Sequence, residues 1–132
     1  MSDTKTRDQM VQLAASMYAR GLTFGASGNL SVKIDGGWLM TPTGSSLGSL
    51  DPSRLSLLDD AGNLISGDPP TKESVLHMAV YGERPNTGAV VHLHSTHSVA
   101  VSCLADIDPE DVLPPITAYY VMKVGKLPLL PY

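Results

Sequence analysis

The sequence is poor in aromatic residues, in cysteine and in clustered charge, and each shortage excludes something. Phe, Trp and Tyr make up only 5% of the 132 residues, so the core is expected to be aliphatic. A single cysteine, Cys103, rules out an internal disulfide and fits a reducing compartment. Among Val99, Ala100, Val101 and Leu104 it reads as a small buried apolar side chain and not as a nucleophile. The 9 basic residues form no run and are outnumbered by 13 acidic ones, so the electrostatic footprint of a nucleic-acid binder or an anionic-membrane binder is missing. A phosphate on a small substrate stays compatible with that charge, because a few backbone N–H groups and one lysine suffice to hold it. No apolar run approaches the length of a membrane span or a signal peptide, and the polar start MSDTKTRDQM fits a cytoplasmic protein.

What is present describes a globular chain. Hydrophobic residues at 42% give enough apolar surface to offset chain entropy, and no repeat, low-complexity tract or linker divides residues 1–132, which read as one domain. Asp3 or Thr4 can cap a first helix running to about Arg20, with Met10, Val11, Leu13, Ala14, Met17 and Tyr18 at helical spacing and Gly21 placed to end it. Leu30, Val32 and Ile34 then alternate with Ser31, Lys33 and Asp35 over a half-buried strand. A turn at Asp35, Gly36 and Gly37 leads into a return strand from Trp38 to Met40. Short strands are expected at 55–58 and 64–65, after the Gly/Ser/Pro loop that begins at Thr41. Thr71 opens a second helix with Val75, Leu76, Met78, Ala79 and Tyr81 on its buried side, closing before Pro85. A β-rich run from Val90 to His94 and helical composition from Ser98 to Leu104 follow, and the remainder mixes β-branched and aromatic residues with prolines.

His92 and His94 carry the most specific local chemistry. Two apart on a strand, their imidazoles leave one face while Leu93 points into the core, which suits either a metal-binding pair or two hydrogen-bonded structural histidines. A catalytic zinc takes three protein ligands and keeps one position open, so a further ligand has to come from elsewhere. His97 falls at a helix start and His77 on the second helix, where hydrogen-bonded or packing roles fit better than ligation. Glu73, in the first turn of that helix, suits a proton-transfer or ligand role as well as plain helix stabilisation. The segments 25–29 and 41–46 are small-residue loops whose backbone can approach an anion, though each alone is also an ordinary turn.

The joint order of GNLS at 28–31, TPTG at 41–44, Thr71-Lys72-Glu73 before HMA at 77–79, and VVHLHS at 90–95 resembles the class II aldolase/adducin family. The resemblance covers nearly the whole chain from Asp8 onward. It implies an α/β fold of three layers, α/β/α, with a mainly antiparallel central sheet. It implies that His92 and His94 ligate Zn2+, or Mn2+ or another divalent transition metal. It makes Glu73 the acid/base, also able to ligate the metal when substrate is absent. Gly28, Asn29, Thr43, Gly44, Thr71 and Lys72 are the implied substrate-binding residues, holding its phosphate. The Pro-Thr-Lys-Glu run, VVHLHSTHSVAVSCL and PPITAYYVMKVGKLPLLPY are most similar to the branch that decarboxylates 3-oxo-tetronate 4-phosphates to dihydroxyacetone phosphate and carbon dioxide, through a metal-stabilised enediolate. A sugar-phosphate aldolase or 4-epimerase is the runner-up, and a non-catalytic, adducin-like association module the reading from another class. Two departures stand out: sugar aldolases usually carry two serines where this chain has Thr71 and Lys72, and no histidine follows His97 to serve as the family's third, downstream ligand. The chain is therefore expected to be the N-terminal part, roughly two thirds, of a family domain that assembles as a homo-oligomer, typically a tetramer.

Overall fold

A computed structural model describes residues 3–131. The chain divides into two compact units, Met1–His94 and Ser95–Tyr132.

The first unit opens with helix α1, Asp3–Ala19. Asp3 and Thr4, the two expected caps, both lie inside this helix, and any residue that caps it lies outside the described ones. The apolar positions sort into a narrow stripe. Met10, Ala14 and Met17 are buried, whereas Leu13 and Tyr18, which flank that stripe on either side at about 100° per residue, are exposed. Gly21 follows the last turn as expected, with its N–H on the Tyr18 carbonyl and that of Leu22 on the Met17 carbonyl.

Five strands follow, β1 Asn29–Ile34, β2 Gly37–Met40, β3 Ser56–Asp59, β4 Leu64–Ser66 and β5 Ala89–His92, with helix α2, Ser74–Glu83, between the last two. They pair antiparallel throughout in the order β4-β3-β2-β1-β5. The register assigns each side chain to a face. Leu30, opposite Val91, and Val32, opposite Leu39, look toward α1, where Leu30, Leu39, Leu47 and Leu55 close the core with Met10, Ala14 and Met17. Asn29, Ser31 and His92 look the other way, toward α2. A helix on each side of the sheet makes the three layers that the resemblance implied.

The second face corrects the sequence reading twice. Ser31, assigned to the polar side of a half-buried strand, is only 1% exposed. The α2 side chains that cover it are His77 and Tyr81, while Val75 and Leu76 of the expected apolar stripe are exposed. The reason is that the sheet face under α2 is mixed: Asn29 and Ser31 stand there beside buried Met40 and Val90, and the buried polar pair needs the hydrogen-bonding partners that His77 and Tyr81 supply. Helix α2 also starts three residues later than expected. Thr71 accepts at its carbonyl from Ser74 N–H and at its hydroxyl from Glu73 N–H, which forms a turn ahead of the helix and leaves Glu73 as the N-cap residue.

The β1–β2 turn has little room. Gly37 sits at φ 151°, and a Cβ added there would lie 1.9 Å from the Leu58 carbonyl oxygen on β3. Gly37→Ala is expected to destabilise the protein by at least about 1–3 kcal/mol, the cost typical of a forced backbone, read as a lower urea midpoint.

The second unit holds α3, Thr96–Ser102, and α4, Ala118–Lys123. Helix α3 begins two residues before the expected start, and Cys103 just beyond it is exposed, as are Val99 and Leu104. The expectation of a buried Cys103 fails because this helix is under two turns long and buries no residue. Helix α4 was not foreseen; Thr117 caps it by accepting from the Tyr120 N–H, and Lys123 lies in its last turn. Among the described residues no helix is long and apolar enough to cross a membrane.

A candidate metal centre beside a buried polar chain

β5 ends at His92, so His94 lies beyond the strand, where a common strand face was expected to hold both imidazoles. The pair nonetheless stays together, with ring centroids 5.0 Å apart. Leu93 between them packs against the core as expected, fixing the backbone on the opposite side. From the α2 layer Glu73 reaches both rings. His92 Nδ1 donates to Glu73 Oε2 at 2.9 Å, and His94 Nε2 lies 3.9 Å from Oε1. One ligand atom of each of the three residues lies within 4.8 Å of the others. Two imidazoles and a carboxylate converging in a half-exposed position suit a divalent transition metal with room left for another ligand. His97 is exposed in the first turn of α3.

The carboxylate of Glu73 has a second partner. The Asn29 side-chain amide donates to its Oε2. That hydrogen bond holds the Glu73 carboxyl below its ordinary value of 4.5; partial loss of solvent opposes the shift, and the charges of His92 and His94 reinforce it. Asn29 itself is 5% exposed, and its Oδ1 meets His77 Nε2 at 2.6 Å. His77 Nδ1 lies 2.6 Å from Ser31 Oγ, which lies 2.8 Å from the Tyr81 hydroxyl. The i, i+4 spacing of Glu73, His77 and Tyr81 along one side of α2 was the available signal for this chain, and the weight given to aliphatic residues hid it.

Burial sets the charge of His77. Its side chain is wholly buried, and loss of solvent lowers its pKa from 6.5, with the neighbouring charge of His92 acting the same way and that of Glu73 opposing. The unfolded chain therefore takes up this proton at a higher pH than the folded one. Stability attributable to His77 is complete above 6.5 and declines as the pH falls below it. Urea midpoints of the wild type and of His77→Gln are expected to diverge less at about pH 5.5 than at about pH 7.5, since the variant has no such proton to bind.

The implied phosphate residues lie at the start of β1 and on the loops hydrogen-bonded to it. Thr41 and Leu30 exchange hydrogen bonds, Thr43 N–H reaches the Pro69 carbonyl, and Thr71 N–H reaches the Thr41 carbonyl, which ties the loops at 41–44 and 69–71 to β1. Thr43 and Gly44 line a depression of about 380 Å³ together with Ser45, Ser46, Arg54 and Asp68. Arg54 and Asp68 are paired there at 2.6 Å, two residues that the sequence reading did not single out. Thr71 is buried and Lys72 exposed. At Gly28, φ 77°, a Cβ would come within 3.0 Å of the Leu93 side chain and 3.2 Å of the His92 carbonyl, so the absence of a side chain lets β1 start against the end of β5.

Known proteins share this sequence and fold. Residues 8–132 match the model of the class II aldolase and adducin N-terminal domain. The 3-oxo-tetronate 4-phosphate decarboxylase of Haemophilus influenzae is 53% identical over 133 aligned residues, which cover all of this chain and 63% of that enzyme. The crystal structure of YgbL from Escherichia coli superposes with a TM-score of 0.91 at 46% identity, over all of this chain and 64% of that one. L-fuculose-1-phosphate aldolase from Thermus thermophilus follows at a TM-score of 0.75 and 29% identity, covering 96% of this chain and 63% of its own. The chain thus spans a little under two thirds of the length of these proteins.

Proposed function

The chain belongs to the class II aldolase and adducin family, and from that premise we propose that it carries the metal-binding and proton-transfer groups of a 3-oxo-tetronate 4-phosphate decarboxylase. The observation that supports this most is the convergence of Glu73, His92 and His94 on one small volume. A zinc ion, or manganese in its place, fits this nitrogen and oxygen donor set, and when bound would supply positive charge where electrons accumulate on the substrate's oxygens.

The remaining work belongs to the chain. In a 3-oxo-tetronate the bond from the carboxyl carbon C1 to C2 breaks, carbon dioxide departs, and its electron pair is left on C2 in conjugation with the C3 carbonyl as an enediolate. Glu73 then delivers a proton to C2, giving dihydroxyacetone phosphate. Since Asn29 holds Glu73 in its ionised form, Glu73 has to acquire that proton within the cycle, and its side chain, 40% exposed, has access to water. Gly28, Asn29, Thr43, Gly44 and Thr71 are assigned to the substrate's phosphate, and the exposed Lys72 to its phosphate or carboxylate.

Carbon dioxide released from a 3-oxo-tetronate 4-phosphate, without aldehyde from fuculose 1-phosphate, is the expected assay result. The fold shared with the Thermus aldolase supports a second reading, retro-aldol cleavage at the same groups, and the opposite assay result would establish it.

A further inference from the structure

The donors and acceptors around Asn29 admit one consistent direction. A carboxylate only accepts, so the amide must present Nδ2 to Glu73 and Oδ1 to His77. Oδ1 only accepts, so His77 Nε2 must carry a hydrogen. A neutral imidazole then has a bare Nδ1, which requires Ser31 to donate its hydroxyl proton to it and to accept in turn from Tyr81. Running the chain backwards would place a hydrogen on Nδ1 of His77 and leave Nε2 bare. Asn29 would then turn over and bring its carbonyl oxygen against the Glu73 carboxylate, two acceptors in contact.

We propose that Tyr81, Ser31 and His77 are positioning residues whose one-way chain of hydrogen bonds keeps the Asn29 amide turned with its N–H toward Glu73. The consequence is a donor held at the mouth of the metal centre by groups that never meet substrate. In the arrangement described above, the donor grips Glu73. When Glu73 leaves to move a proton, the same N–H is left facing an anionic substrate oxygen. This last role rests on the decarboxylase reading; the direction of the chain does not.

The alignment is costly to lose because its members are buried. Ser31 is 1% exposed, His77 0% and Tyr81 7%, so water cannot re-satisfy a member that turns the wrong way. Trp38 closes the outer side, with its ring centroid 6.3 Å from that of Tyr81.

Two measurements test this. Long-range ¹H–¹⁵N correlation spectra of histidine-labelled protein, with His77 assigned from its absence in His77→Gln, are expected to show a neutral ring carrying its hydrogen on Nε2. A ring carrying it on Nδ1 overturns the proposal, whatever the protein catalyses. In the decarboxylation assay, His77→Leu is expected to lower kcat/KM at least about 10-fold, and His77→Gln, which can offer an N–H in place of Nε2, to restore it to within about 3-fold of wild type. Equal losses in both variants, each folded by circular dichroism, also overturn it. Were the wild type to release no carbon dioxide, the decarboxylase reading would fail, while the spectrum would still decide the direction of the chain.

Discussion

Glu73→Gln is expected to lower the rate of carbon dioxide release by about 100- to 10,000-fold, the range that a positioned proton-transfer group contributes. The substitution is close to isosteric, and the surroundings accept it. Glutamine can still offer an oxygen to the Asn29 amide, and Glu73 makes no side-chain cap bond to α2 that would be lost. What disappears is the ability to hold and release a proton at the atom facing His92, together with one negative charge beside the two imidazoles. Lost charge alone would weaken metal binding and be offset by added metal. Lost proton transfer would not, so the rate at saturating zinc or manganese separates the two. Recovery of more than about a tenth of wild-type rate under those conditions would remove Glu73 from the chemistry.

The pH dependence of Glu73 has a definite sign. Its carboxyl is held below 4.5 in the fold, first by Asn29, so the stability that it contributes is present above 4.5 and declines as the pH falls through the lower folded value. Because the side chain is 40% exposed, solvent screens much of this effect, and its catalytic consequence is the better probe.

How far the sequence revealed the site depended on whether a local period or a long-range pairing created it. His92 and His94 were legible because two-residue spacing predicts a shared direction, and Leu93 because the residue between them must face the other way. The strand stops at His92, yet the pair survives. Glu73 was legible as a candidate, but its placement opposite His92 depends on β1 and β5 pairing Asn29 with His92, a match between distant stretches of sequence that no local pattern encodes. Ser31 was misread for a related reason. Alternation tells which residues share a face, and only the packing of α2 tells whether the polar face meets water or other polar groups. The aliphatic bias misled at Val75 and Leu76, and also at Cys103, where apolar neighbours stood in for a covering layer that a seven-residue helix does not supply.

His92→Ala is expected to weaken binding of zinc more than about 100-fold, beyond the roughly 10- to 100-fold typical when only an outer partner of a ligand is lost, and to bring decarboxylation to background. Competition with a chromophoric chelator reads the affinity directly. The effect should exceed that of His94→Ala, because His92 has the more contacts of the two. It is held in the β1–β5 ladder opposite Asn29, its side chain is 24% exposed against 53% for His94, and its contact with Glu73 is 2.9 Å against 3.9 Å. A ligand already fixed by the backbone loses less freedom on binding than one beyond the strand end, so removing it forfeits more affinity. Neither change empties a packed core, as His92 is partly exposed and Leu93 keeps its own contacts, so both variants should remain folded. Unchanged zinc affinity in His92→Ala would mean that the two imidazoles and Glu73 form a hydrogen-bonded cluster and not a metal centre. The larger loss falling on His94 would instead mean that the ion sits further from β5 than the side-chain geometry suggests.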